Sequence, residues 1–266
     1  MNTKIMIGQY YPANSHIHRL DPRVKLVSVF IYITLLFLAQ SAESYAFAAF
    51  CLMLVIYASN VPPKFMLKGL RNIFIIILLT VSLNILFTPG ETPLVNFWII
   101  TIYPEGLTHA AKMAARLVLL IIGSSVLTLT TSPIALTDAI EYLLRPLKKI
   151  GVPAHDIAMM MTIALRFIPT LLEELDKIMK AQMARGAGFD TGGIMKKAKA
   201  MVPLLVPLFI SAFRRAEDLA TAMEARCYRG DNGRTRMKAL VLNKSDYKAI
   251  GFLCAFAVAV FYLRGL

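Results

Sequence analysis

The sequence predicts an all-α integral membrane protein with about five transmembrane helices and three long amphipathic cytoplasmic helices. Three observations predict it. Of the 266 residues, 57% are hydrophobic and only 17% charged, whereas an ordinary soluble domain is about 45–50% apolar. Apolar runs long enough to cross a hydrocarbon layer of about 30 Å lie near Val24–Gln40, Ala42–Ser59, Asn72–Thr88, Ala110–Thr130 and Tyr247–Leu263. Between Ser132 and Asp246 the apolar residues become periodic instead of continuous, which marks helices with one apolar face rather than spans. The chain therefore divides into 1–131, a membrane region with four spans, 132–246, an amphipathic helical section, and 247–266, a last span.

Asp21 is placed to cap the first span, with Pro22 at its first helical position and Arg23 and Lys25 as its positive flank. That apolar run starts after about twenty polar residues and passes almost directly into the next, so it reads as a retained span rather than a cleaved signal. From Thr34 to Phe50 only Glu43 is charged, which predicts a hairpin of two spans with a very short turn. Val61-Pro62-Pro63-Lys64 ends the second helix on the opposite side. The loop holding Pro89, Gly90, Pro93 and Pro104 contains Glu91 and Glu105 but no Lys or Arg. Basic residues concentrate instead in the N-terminal segment (Lys4, Arg19, Arg23, Lys25), at Lys64, Lys68 and Arg71, and after Thr131. By the positive-inside rule these regions face the cytoplasm, which puts the N-terminus inside and the C-terminus outside, against the single contrary residue Arg264. The net charge of +13 thus reports orientation and contact with anionic headgroups, not nucleic-acid binding.

Three amphipathic helices follow. The first takes Ser132 as N-cap and Pro133 as its first residue, gathers Leu136, Ile140, Leu143, Leu144 and Leu147 on one face, and stops at Gly151. The second runs from about Pro153 to Arg185 with Ile157, Met161, Leu165, Ile168, Leu172 and Met179 at helical spacing and Glu173/Lys177 and Asp176/Lys180 as pairs one turn apart. The third runs from about Gly193 to Cys227, opening on Lys196, Lys197 and Lys199. Its stretch Met201–Phe213 is short for a span and contains Pro203 and Pro207, so it reads as a helix lying against membrane or partner, with a kinked sixth span as the alternative.

The chain holds no Gly-x-x-x-x-Gly-Lys-Ser/Thr and not even a Gly-Lys dipeptide, so it lacks the backbone cradle that holds nucleotide phosphates. No ionised residue falls at the predicted centre of a span, where an ion-coupled carrier needs one. Cys51, Cys227 and Cys254 are too scattered for a disulfide framework or thiolate metal site, and His16 and His18 bring no further ligands with them, so no metal site is assigned. Asp138, Glu141, His155 and Asp156 form a candidate acid/base cluster, but solvated faces and helix starts account for all four. The sharper signal is Ala184-Arg185-Gly186 at the end of the second helix and Ala225-Arg226-Cys227 at the end of the third. Small neighbours let a partner surface close around the guanidinium fork, which suits a carboxylate in a groove. The bland alternative is a cation facing a helix C-terminus, worth about 0.3–1 kcal/mol without any partner.

These features together, namely Asp21-Pro22-Arg23 before the first span, about four spans, long amphipathic helices ending in Ala-Arg-Gly and Ala-Arg-Cys, and a last span, closely resemble the transmembrane (T) component of energy-coupling factor vitamin transporters. Ile7-Gly8-Gln9-Tyr10-Tyr11-Pro12 and the stretches Cys227-Tyr228-Arg229-Gly230 and Gly233-Arg234-Thr235-Arg236 resemble the shared form of Gram-positive bacteria. The resemblance covers nearly the whole chain and implies a non-catalytic subunit of the cell membrane with no cofactor of its own, ATP and Mg being bound by partners. It implies two cytoplasmic ABC-type ATPases docked on Arg185 and Arg226, and interchangeable membrane S components, which bind the substrate, against the apolar faces that carry Met160, Met161, Leu165, Ile168, Leu205 and Phe209. Cys227 stands where Gly or Ser is the commoner family residue. The alternatives are a T component dedicated to one substrate, biotin or cobalt/nickel, and a membrane-embedded enzyme built on the Asp138 cluster.

Overall fold

The computed structural model describes residues 10–89, 95–97, 100–188, 193–230 and 240–264. Their elements are α1 (Pro22–Leu38), α2 (Ala42–Ser59), α3 (Pro63–Phe87), a small hairpin of β1 (Val95–Phe97) and β2 (Ile100–Ile102), α4 (Pro104–Thr130), α5 (Pro133–Leu144), a 3₁₀ turn over Arg145–Ile150, α6 (Ala154–Ala184), α7 (Ile194–Ala225) and α8 (Lys244–Arg264). The protein is an all-α membrane protein but for the hairpin, which pairs Val95 with Ile102 and Phe97 with Ile100 inside the loop expected to be irregular. Of that loop, Gly90, Glu91 and Pro93 lie outside the described residues, as do Ile7, Gly8, Gln9 and the Gly233–Arg236 stretch.

Contacts divide the described chain into two compact units, residues 10–139 with 240–264, and residues 140–230. The first unit packs α4 against α1, α2 and α3, and α8 against α1 and α2. Its core holds Leu35 and Leu36 of α1, Ala48 and Leu52 of α2, Leu119, Val126 and Leu129 of α4, and Phe256 and Val260 of α8. The outward faces are equally apolar: Phe30, Phe37, Phe50, Met53, Tyr57, Phe74, Ile75, Val258 and Phe261 are all exposed. Helices apolar on every side need a hydrocarbon solvent.

Cap chemistry sets the ends. Asp21 Oδ1 accepts the Arg23 N–H at 2.8 Å, with Pro22 as the first helical residue. Ser41 Oγ accepts the Ser44 N–H at 3.2 Å, and Asn60 closes α2 in the left-handed region. The helices long and apolar enough to span are α2, α4, α6 and α8, with α3 making a fifth if its two parts, which meet at 58°, count as one. With 17 residues, α1 reaches about 25 Å and stands at the short end of the range for a span, while α6 has the length and composition of a span although its sequence reads as amphipathic.

Between the units' boundary residues, α5 begins as expected, with Ser132 Oγ accepting the Ala135 N–H at 3.3 Å. It ends earlier than expected. Pro146 cannot donate to the carbonyl of Tyr142, so the backbone tightens into the 3₁₀ turn from Arg145 and takes Leu147 off the helical face. Gly151, at φ +87°, then terminates the segment as expected. In the second unit α6 continues through Pro169 and α7 through Pro203 and Pro207.

Candidate functional site

The two Ala-Arg-small elements fold into the same cap. At the end of α6, the Gly186 N–H donates to the Met183 carbonyl at 3.0 Å and the Ala187 N–H to the Gln182 carbonyl at 3.0 Å. At the end of α7, the Cys227 N–H donates to Glu224 at 2.8 Å and the Tyr228 N–H to Met223 at 3.1 Å. This paired pattern is the Schellman motif, which closes on a residue in the left-handed region. Gly186 takes that place at φ +87° and Cys227 at φ +54°. The backbone at this third position favours glycine, which Gly186 supplies and Cys227 does not, and the Arg before it falls at the cap position, φ −86° for Arg185 and φ −91° for Arg226. Ala184, Arg185, Gly186, Ala225, Arg226 and Cys227 are all exposed, and neither Arg makes an ion pair or side-chain hydrogen bond among the described residues.

The helices bearing these caps run antiparallel. Near the middle of the pair Arg215 Nη2 donates to Glu174 Oε2 at 3.2 Å. Further along, the Tyr228 hydroxyl lies 3.4 Å from His155 Nε2 at the start of α6. The contact on α7 therefore moves toward its C-terminus as that on α6 moves toward its N-terminus. Since about 45 Å of helix separates His155 from Arg185, Arg226 and Arg185 stand at opposite ends of α6.

Of the acid/base cluster, the structure joins two members: His155 Nδ1 lies 3.3 Å from Glu141 Oε1, which is buried. Asp138 and Asp156 take no part, and among the described residues no three His, Cys, Asp or Glu side chains gather as a metal site would require. Glu141, His155 and Tyr228 instead form a polar chain from α5 through the N-terminus of α6 to the cap of α7. Sequence reasoning missed Tyr228, because its partner is 73 positions away. At His18, Nε2 faces the Tyr11 carbonyl at 2.9 Å and so carries the proton, while Nδ1 accepts from Ser15 Oγ at 2.7 Å. Both nitrogens are engaged.

The apolar faces of α6 and α7 are largely uncovered. Met160, Leu205 and Phe209 are exposed, and Met161, Leu165 and Ile168 half-buried. Among the described residues of these two helices only Ala154, Ala158 and Leu204 are buried hydrophobics, too little for a core, and Met201, Val206, Ile210 and Phe213 extend the open strip.

Asp21-Pro22-Arg23 does structural work in the first unit. Arg23 Nη2 donates to Asp21 Oδ2 at 2.7 Å and to the Leu240 carbonyl at 3.0 Å, while Asp246 Oδ1 accepts the Asp21 N–H at 2.8 Å. Asp246, fully buried, also accepts the Asn243 N–H at 2.7 Å. Lys25, expected as part of the positive flank of the first span, is buried with Nζ donating to the Thr130 and His18 carbonyls at 3.0 and 3.1 Å. Burial alone pushes the Asp21 carboxyl up, but hydrogen bonds from Arg23 and the charges of Arg23 and Lys25 outweigh it and hold the group below its usual range. The spacing Asn243-x-x-Asp246, an N-cap followed by an acid three residues on, was the available signal for this node.

A multi-pass helical protein with an open apolar helix pair and two matched, Arg-bearing helix ends has the build of a membrane subunit that works with partners. Residues 13–237 match the family model described as cobalt transport protein. Relatives described as energy-coupling factor transporter transmembrane protein EcfT include those of Clostridium kluyveri (58% identical, covering 94% of this chain and 93% of the relative), Acidaminococcus fermentans (55%, 99% and 98%) and Bacillus subtilis (47%, 99% and 100%). The chain belongs to this family of transmembrane proteins of energy-coupling factor transporters.

Proposed function

We propose that the chain is the non-catalytic coupling subunit of an ATP-driven vitamin or micronutrient uptake transporter, joining two cytoplasmic ABC-type ATPases to interchangeable S components. The observation that carries this reading is the repeated cap. Two long helices end in the same hydrogen-bond pattern, each presenting a guanidinium without a side-chain partner among the described residues, at opposite ends of α6. A dipole interaction alone asks for no such repetition, whereas two similar ATPase grooves do. In this reading Arg185 and Arg226 are the docking residues, with Ala184, Gly186, Ala225 and Cys227 as their small flanks. ATP and Mg belong to the partners.

The open strip through Met160, Met161, Leu165, Ile168, Leu205 and Phe209 is the proposed seat of the S component. Its methionines suit a face that repacks against more than one partner. Basic residues at Arg19, Lys64, Lys68 and Arg71 support a cytoplasmic N-terminus, and the charged faces of α6 and α7 favour placing residues 132–246 at the cytoplasmic surface with their apolar strips against bilayer and partner. ATP-driven closure of the ATPases would then act on the two Arg-bearing ends and tilt the helix pair, and the long helices would turn that into a rotation of the S component that releases substrate inward.

The description of the matching family names cobalt transport, which favours a second reading, a subunit dedicated to one substrate. Purification in mild detergent with identification of every companion separates the two. The shared-subunit reading expects two ABC-type ATPases and several different S components. A single S component supports the dedicated form, and isolation without any ATPase contradicts both.

A further inference from the structure

The face of α4 that lies beside the turn between α1 and α2 gathers basic side chains that pair with no acid among the described residues. His109, Lys112 and Arg116 follow one another at helical spacing, so they share one side of α4. With Phe37, Gln40, Tyr45 and Met113 they line a cavity of about 460 Å³. The Arg116 guanidinium is fixed in its wall. Nε and Nη2 donate to the Tyr45 hydroxyl at 3.0 and 2.6 Å, and Nη2 also to the Ala39 carbonyl at 3.1 Å. The plane lies near the Phe37 and Tyr45 rings at 5.6 and 5.8 Å. Among the described residues Nη1 has only the weak acceptor Met113 Sδ, at 3.9 Å, so donor capacity remains for something else. Glu43 and Glu105, the acids nearest in sequence, form no ion pair, and among the described residues no carboxylate pairs with Lys112 or Arg116.

We propose that this cavity is a binding site for the phosphate of an anionic phospholipid. Its place at the end of an apolar helix, beside an exposed aromatic ring, argues for a lipid over a soluble anion. Ala39 and Gln40 end the apolar run of α1, and Phe37 beside them is exposed on the hydrocarbon-facing surface, so the cavity opens where chains give way to headgroups. In the orientation proposed above this is the outer leaflet, where Lys112 and Arg116 run against the positive-inside bias. A phosphate held by Arg116 Nη1 and the Lys112 ammonium supplies the missing charge, and an acyl chain passes down the Phe37 and Met113 walls. The occupant explains why one helix face carries like charges a turn apart.

Arg116 also holds the α1–α2 turn, so the test uses Lys112→Gln, an exposed position that leaves those contacts in place. The full-length protein, purified with whatever subunits accompany it, is mixed with phosphatidylglycerol or phosphatidylcholine, and the lipids it retains are counted by native mass spectrometry. The wild type is expected to keep one phosphatidylglycerol that Lys112→Gln holds about tenfold more weakly, the loss of one charge-assisted contact. Phosphatidylcholine, whose choline offsets its phosphate, is expected to bind more weakly than phosphatidylglycerol, and inorganic phosphate not to displace the lipid. Equal retention by wild type and variant overturns the site. Free phosphate competing as well as the lipid overturns the choice of occupant.

Discussion

Cys227 occupies a backbone position that suits glycine better. At φ +54° its Cβ crowds the neighbouring carbonyl, a strain of about 1–2 kcal/mol that Gly186 avoids at the matching place. Cys227→Gly is therefore expected to stabilise the protein by about 1 kcal/mol, read as a rise in the thermal unfolding midpoint in detergent, and an unchanged or lower midpoint contradicts the strain. Asp21 gives a second expectation at this scale. Because its folded pKa lies below the ordinary 3.8, the carboxylate adds stability that is present above that pH and fades as pH falls through the folded value. Asp21→Asn should lower the midpoint at neutral pH, and the gap from wild type should narrow well below pH 3.8. A gap of constant size would mean that the charge is not what matters there.

Helices here pack where small residues permit it. A Cβ at Gly123 of α4 would overlap the Tyr32 ring of α1, whose hydroxyl donates to the Leu119 carbonyl at 3.2 Å. Gly123→Ala should cost about 1–3 kcal/mol through overpacking, and Gly123→Ala with Tyr32→Leu should recover part of it, measured by the same midpoints. Element ends were well marked in the sequence: Asp21-Pro22, Ser41, Ser132-Pro133, Gly151 and the two Ala-Arg-small stops each encode their boundary through local cap chemistry. What was not legible depends on distance along the chain. Asp246 meets Asp21 across 225 positions, and Tyr228 meets His155 across 73. Periodicity says which face a residue takes, not which other helix receives it. The 3₁₀ turn at Arg145–Ile150 was missed for a local reason, since the apolar spacing carried the helix past a proline that the backbone could not absorb.

As a whole, the molecule joins a membrane unit with its own core to a helix pair with few buried hydrophobics among its described residues. The pair's open apolar strip and its two exposed guanidinium tips are explicable as surfaces completed by other chains. The positions of the proposed docking residues were legible because the cap that ends each helix also presents the Arg; the surfaces proposed to receive them were not, because they would belong to other sequences. Arg185→Glu or Arg226→Glu alone should weaken ATPase binding by about 2 kcal/mol, roughly thirtyfold, with insertion into the membrane unaffected. The most direct test is capture of the two ATPases from membranes by the Arg185→Glu, Arg226→Glu double variant beside the wild type. The account predicts both ATPases with the wild type and neither with the inserted double variant. Stable recovery of both ATPases on the double variant would contradict it.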